Sequence, residues 1–479
     1  MISGRPAEPL RSRTPQAPRT GKEPIYADQR AQPAPRRLVG TFLPGVSHGP
    51  AMREPNAVMI PIEEALRRLD EVASPLRLET ETLPVRASLG RVLRAPARAR
   101  LALPPFDKSA VDGYALPDDG NEESGYRLLE TVHAGETGRL PLRPGTTVKV
   151  MTGTPVPAAT VRVVMVEHTE EQNDRVRILS ASSGTNVCRR GENLMPGDLV
   201  VEAGRALSPL DLGNLIAAGI TEVEVSRPLR IAVLSTGNEI ADDPAALGPG
   251  RIMDSNGPML AALATTHGMD VVLSRRIPDE PGATREAIAE ALAAADVVVL
   301  SGGVSEGDSD FVTPALFAIG LNALFTRVAV KPGKPVTLAA DGRRVVLALP
   351  GNPVSAWLMF HIFGLRIAAH LVGAPVEPRT FRLTLATPFA RRNAERQEYV
   401  PARLDESARC SPVPYHGSAH LGALTGTDGF FVVPLGVTMM PAGAEVRFLP
   451  LGDTAMRVRA EVRSLPLGGR LPASSEGKP

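Results

Sequence analysis

Between residues 229 and 375, four short apolar runs, 230–234, 271–273, 297–300 and 345–349, alternate with stretches of helical spacing. Continuous Val, Ile and Leu runs suit strands buried on both faces. Their alternation with helices predicts a doubly wound α/β domain built on a largely parallel sheet. In such a sheet a ligand sits beyond the carboxyl ends of the strands, so the loops leaving these runs are where chemistry should lie. The flanking sequence reads differently. Residues 80–200 hold short strand-like runs broken by Gly and Pro, such as 147–151 and 162–167. After 378 the strand period returns in FRLTLATPF, EYVPARL and GFFVVPL. The expected class is therefore α/β and β multidomain: one doubly wound α/β domain, β-rich domains and a small C-terminal β domain. A helix opens at Pro61 with Glu63 and Glu64 in its first turn and Leu66, Leu69 and Val72 along one face.

At 479 residues the chain exceeds one ordinary core. A formal net charge of +1 and 4% aromatic residues offer neither the basic footprint nor the stacking surface of a nucleic-acid binder. The two cysteines, Cys188 and Cys410, stand far apart, which points to a reducing compartment without a disulfide framework or zinc site. No apolar run approaches the ~20 residues of a membrane span. The first residues carry positive charge with no apolar core behind it, unlike a secretory signal. A cytoplasmic protein is expected. Residues 1–57, rich in Pro and Arg, and 456–479 read as disordered tails.

The loops carry the candidate chemistry. VVVLSGGVSEGDSDF (297–311) runs from a strand into Ser301, Gly302 and Gly303 and then Glu306, Asp308 and Asp310. Glycine lets backbone N–H groups approach an anion, and the acids are hard oxygen ligands suited to magnesium. LSTGNEI (234–240) repeats the strand-to-glycine turn with Glu239. In MDSNGPML, Asp254, Ser255 or Asn256 caps a helix beginning near Pro258, or its N-terminus receives phosphate. VAVKPGKPV (328–336) holds Lys331 and Lys334 together in a proline-stiffened turn, a costly arrangement unless an anion lies between them. LPGNPVS (349–355) adds Gly351 and Asn352. Upstream, PPFDKSAVDGYA contains Asp107 and Asp112, and VMTGTPVP contains Thr152; each also suits a simple turn. His133, His168, His361 and His416 have no nucleophile partner at meaningful spacing, and the G-x-x-x-x-G-K-[ST] loop is absent.

In chain order, PPFDKSAVDGYA, VMTGTPVP, RRGENLMPGD, LSTGNEI, MDSNGPML, SGGVSEGDSDF, VKPGKPV and LPGNPVSA resemble the molybdopterin molybdenumtransferases, the MoeA and gephyrin E-domain family, from roughly Pro61 to Leu451. The resemblance implies an elongated homodimer of four-part subunits. Residues 58–103 and 195–228 would form a linker domain and 104–194 an inserted β-rich domain. A MogA-like molybdopterin-binding α/β domain would cover 229–377, and a C-terminal β domain 378–455. It implies insertion of molybdenum from molybdate into adenylylated molybdopterin with Mg²⁺ and release of AMP. Asp112, Thr152, Glu239, Asp279 and Asp310 match the family's active-site positions, with Glu239 and Asp310 toward the metal. Ser301, Gly302, Gly303, Lys331, Lys334, Gly351 and Asn352 fall to cofactor binding, and Asp112 and Thr152 would reach across from a neighbouring part. Expected partners are a MogA-like adenylyltransferase and molybdoenzymes or their chaperones, with no nucleic acid or membrane. Asn193, Arg327 and Pro401 depart from relatives that carry an acid, a lysine and an arginine there. These departures keep open an alternative, a protein that binds and delivers the cofactor without inserting the metal.

Overall fold

The structure, a computed structural model, describes residues 39–40, 58–119, 123–180, 184–304, 311–376 and 380–451. The expected tails lie outside these residues, except that Val39–Gly40 pairs antiparallel with Leu76–Arg77, a strand contact inside the stretch read as a tail. Helix α1 (Ile62–Ala73) buries Ile62, Ala65, Leu69 and Ala73, while Leu66 and Val72 pack at the margin of the same cluster.

The central unit runs β1 (Arg230–Thr236), α2 (Asn256–Thr266), β2 (Asp270–Ile277), α3 (Pro281–Ala294), β3 (Val297–Ser301), α4 (Val312–Ala318), β4 (Asn322–Arg327), β5 (Pro335–Ala340), β6 (Val345–Leu349) and α5 (Pro353–Val372). The strands form one sheet in the order β2-β1-β3-β6-β5-β4. Successive residues alternate between two cores. Ile231, Val233, Val297, Val299, Val345 and Leu347 face α2 and α5, whereas Ala232, Leu234, Val298, Leu300, Val346 and Ala348 face α3 and α4. A strand covered by helices on both sides has no solvent face, which is why these runs lack polar alternation.

The sheet is mixed rather than wholly parallel. β1 pairs parallel with β2 and β3, and β3 with β6, but β5 runs antiparallel to both β6 and β4. A tight turn causes the reversal, in which Asp341 Oδ1 accepts from the N–H groups of Arg343 (3.0 Å) and Arg344 (2.8 Å). The start of β5 therefore lies beside the carboxyl end of β6, and segment 328–334 joins the edge formed by the carboxyl ends of β1, β2, β3 and β6.

The inserted sheet is also six-stranded, ordered 169–172, 175–178, 126–132, 146–150, 113–116, 162–165. Leading into and out of it, Thr80–Pro84 pairs with Glu222–Ser226. Helix Pro209–Ala217 starts in a capping box between Ser208 and Asp211. In the C-terminal sheet, Val330–Lys331 lies at one edge beside Gln397–Leu404, followed by Gly429–Val433, Glu445–Pro450 and Phe381–Thr384. Lys331 thus belongs to the central unit by sequence and to the C-terminal sheet by pairing.

One expectation needs correction. Helix α5 is 20 residues long and apolar enough to cross a membrane by length and composition, but 67% of that window is buried inside the fold. It is a core helix. His361, in its π-turn, stacks on Trp357 with ring centroids 3.9 Å apart, and burial pushes its pKa down to about 3, so it is a neutral core histidine.

Candidate active site

The carboxyl ends of β2, β1, β3 and β6 lie side by side, so the loops that leave them share one edge. At the first pair, Thr236 Oγ1 donates to Asp279 Oδ1, the N–H of Asn238 donates to Asp279 Oδ2 at 3.2 Å, and Asn238 Oδ1 accepts from the N–H of Asp279 at 3.3 Å. This reciprocal knot orients the Asp279 carboxylate. The exposed Glu239 folds back over Gly237, where a Cβ would lie 2.7 Å from its Oε2. Glu239 and Asp279 are therefore held on adjacent loops through Asn238. Neither Thr236 nor Asn238 was singled out from sequence, since each reads as an ordinary strand-end or turn residue.

At the second pair, Gly302 has φ +97° and its N–H donates to Leu349 O at 3.1 Å. A Cβ there would sit 2.2 Å from Thr236 O. The expectation that this glycine offers its N–H to an anion is thus corrected. The amide is already bonded, and glycine is required so that the loop can press against β1. Gly303 also lies in the left-handed region, at φ +65°, and makes the turn. Ser301 is 2% exposed; its Oγ donates to Pro350 O at 3.3 Å and accepts from Asn256 Nδ2 at 2.8 Å. Asn256 Nδ2 also donates to Gly351 O at 2.7 Å. Of the proposed helix caps, Asp254 performs the role by accepting the Gly257 N–H at 2.9 Å, and Asn256 does not cap at all. Asn352 precedes α5 and donates from Nδ2 to Ser418 Oγ at 2.8 Å, so its side chain also makes no cap. Asp310 lies outside the described residues, as do Glu306 and Asp308.

The lysine turn needs a second correction. Lys331 Nζ pairs with Glu398 Oε1 at 2.8 Å, and Glu398 Oε2 pairs with Arg391 Nη1 at 3.3 Å. Glu398 is only 7% exposed. An internal carboxylate, absent from any local reading of 328–336, therefore relieves the repulsion that had suggested an external anion. Lys334 O accepts from the Val328 N–H at 3.0 Å, closing the loop at the start of β5.

In the inserted domain Asp112 and Thr152 come together: Asp112 Oδ1 accepts from Thr152 N at 2.6 Å and Thr152 Oγ1 at 2.7 Å. The backbone donor and then the hydroxyl hold the Asp112 carboxyl below its ordinary value. Asp107 links two motifs by pairing with Arg189 Nη1 and accepting from the Arg190 N–H, both at 2.7 Å. Asn193 is exposed, with its backbone N–H bonded to Leu103 O at 2.9 Å. Arg327 ends β4 opposite Pro335 at the same edge of the sheet, and Pro401 is buried within strand 397–404 opposite Phe430.

Glu239 and Asp279 match what Mg²⁺ accepts from a protein, one or two carboxylates with phosphate oxygens and water completing the shell. Among the described residues no group of three or more His, Cys, Asp or Glu forms a ready metal cage.

Three family models match the chain between residues 60 and 451: "MoeA N-terminal region (domain I and II)" matches residues 60–219, "Probable molybdopterin binding domain" 232–370, and "MoeA C-terminal region (domain IV)" 382–451. A molybdopterin molybdenumtransferase of Staphylococcus aureus is 30% identical over 397 residues, covering 81% of this chain and 94% of the relative. Molybdopterin molybdenumtransferase 2 of Mycobacterium tuberculosis is 32% identical over 384 residues, covering 76% and 94%. The crystal structure of the molybdopterin biosynthesis moeA protein from Pyrococcus horikoshii superposes with a TM-score of 0.72 at 25% identity, across 82% of this chain and all 100% of that one. With three family models matching in order over most of its length and relatives at this identity over nearly their whole length, the chain belongs to the molybdopterin molybdenumtransferase (MoeA) family.

Proposed function

We propose that this chain performs the transfer for which its family is named, placing molybdenum from molybdate into adenylylated molybdopterin with release of AMP, as a step of molybdenum cofactor biosynthesis. The observation that carries the reading is the convergence of Glu239, the Asp279 knot, Ser301 to Gly303, Gly351 and the lysine segment on one sheet edge. Both substrates are anions. Lys331 and Lys334 bring cationic charge to the same edge, with Lys331 shared with Glu398.

Glu239 and Asp279, together with Asp310 of the following loop, would hold Mg²⁺. When bound, the ion neutralises charge on the phosphoanhydride being cleaved. Asn238 and Thr236 keep the Asp279 carboxylate oriented toward that role through their hydrogen bonds. Asp112, held ionised by Thr152, would come to the site from the second subunit of a homodimer. The adenylylated substrate would be supplied by a MogA-like adenylyltransferase. The product would pass to molybdoenzymes or their chaperones in the cytoplasm, a setting consistent with the free Cys188 and Cys410.

The test is reconstitution from purified protein, adenylylated molybdopterin, molybdate and Mg²⁺, following AMP and the activation of a cofactor-free molybdoenzyme. AMP release that requires molybdate and is lost in Glu239→Ala and Asp310→Ala is the expected result. Tight pterin binding with no molybdate-dependent AMP would overturn the proposal.

A further inference from the structure

We propose that Asn256 is the positioning residue that sets the gap between the two glycine loops receiving the pterin substrate, an inference that rests on the function proposed above. Asn256 is the first residue of α2 and is 8% exposed. Its amide nitrogen donates both protons, one to Ser301 Oγ at 2.8 Å and one to Gly351 O at 2.7 Å. Ser301 ends β3 and Gly351 follows β6, and the ladder joining these strands closes at Ser301 opposite Leu349. Beyond the bond from Gly302 N–H to Leu349 O, the Asn256 amide reaches both loops at once.

The local backbone is shaped to permit this. Gly257 leaves no room for a Cβ, which would lie 2.6 Å from Asp254 Oδ2 and 2.7 Å from Ser235 Oγ, so the first turn of α2 presses directly against the end of β1. Asp254 caps the helix, leaving the neighbouring Asn256 side chain to the loops. The orientation of the amide is also determined: a flipped group would turn its oxygen toward the Gly351 carbonyl, two acceptors facing each other. Cohesion alone does not account for the choice of residue. Among the described residues, Asn256 Oδ1 and Ser235 Oγ, both buried, have no hydrogen-bond partner. An unsatisfied buried acceptor is unfavourable, and its retention in a native site calls for a role beyond stability.

Asn256→Ala, Asn256→Asp and the control Thr265→Ala, at the exposed far end of α2, are to be compared with the native protein. The readouts are molybdopterin Kd, KM and kcat for AMP release, and melting temperature. Asn256→Ala is expected to raise Kd and KM about tenfold or more while kcat changes by no more than about twofold. Asn256→Asp can donate toward Ser301 or Gly351 only when protonated. Relative to the native protein at the same pH, its molybdopterin affinity should therefore tighten as pH falls from about 8 to about 5, so that the ligand's own phosphate titration cancels in the ratio. Native KM in Asn256→Ala, or a ratio of Asn256→Asp to native affinity that does not change with pH, sinks the inference. If Asn256→Ala does not fold, the Asn256→Asp profile decides alone. Failure of the native protein to bind molybdopterin is a separate result, which overturns the parent reading and this inference with it.

Discussion

Replacing Gly302 by alanine tests whether the glycine loop is a packing device. The new Cβ would lie 2.2 Å from Thr236 O, 3.2 Å from Thr236 C and 3.3 Å from Thr236 Cγ2. A carbon meets a carbonyl oxygen at about 3.3 Å at the closest comfortable approach, so the loop or the end of β1 must move by about 1 Å. Neither is a flexible side chain. Overpacking of this kind costs about 1–3 kcal/mol. Holding a non-glycine residue at φ +97° adds about 1–3 kcal/mol. The expected loss is thus about 2–6 kcal/mol, read as a lowered urea midpoint. The displacement also reaches chemistry, because Thr236 Oγ1 is the donor to Asp279, so molybdopterin binding should weaken in parallel. Gly351→Ala supplies the contrast. Its Cβ would meet nothing closer than Gly302 Cα at 3.8 Å, and its φ is not in the left-handed region. That variant should keep or slightly raise stability, by up to about 1 kcal/mol. Equal urea midpoints for the two variants would refute the steric reasoning.

Two further perturbations probe the scaffold and the inserted domain. Arg227 and Asp296, 8% and 6% exposed, form a two-point ion pair at 2.7 and 2.8 Å, and Asp296 also accepts the Arg230 N–H at 2.9 Å. Asp296→Ala should cost about 3 kcal/mol by leaving the buried guanidinium to its looser 3.7 Å pair with Glu79, and a variant within about 1 kcal/mol of native by urea denaturation contradicts this. Asp112 has a folded pKa held below 3.8 by Thr152, so its stabilisation is fully present above that value and is lost only as pH falls through the lower folded value. The Asp112–Thr152 contact should therefore persist through neutral and mildly acidic pH. In Thr152→Val, which keeps the N–H but not the hydroxyl, carboxyl NMR should find the Asp112 titration moved up toward its ordinary value, and an unmoved midpoint rejects the hydroxyl's part.

The strands at 230–234, 297–300 and 345–349 were legible because a strand covered on both faces must be apolar at every position, a local property of composition. The glycine-rich turns that end them were legible as turns, since glycine and capping residues act within a few positions of themselves. β4 and β5 were not legible: NALFTR and PVTLAA carry ordinary strand composition but no sign of direction, and it is the turn at Asp341 that reverses β5. The meaning of single polar residues escaped for a related reason. Asn256 reads as a cap by its place before a helix, yet its amide bonds to Ser301 and Gly351, 45 and 95 positions away.

Lys331 gives the clearest division between what is local and what is not. Sequence alone determined that two lysines share a stiff, proline-flanked turn near a sheet edge, and that such a pair needs a compensating anion. Only the tertiary structure decided that one such anion is the chain's own Glu398, because electrostatic cost is set by distance in space, and strand 397–404 reaches that edge only when the C-terminal sheet folds against segment 330–331.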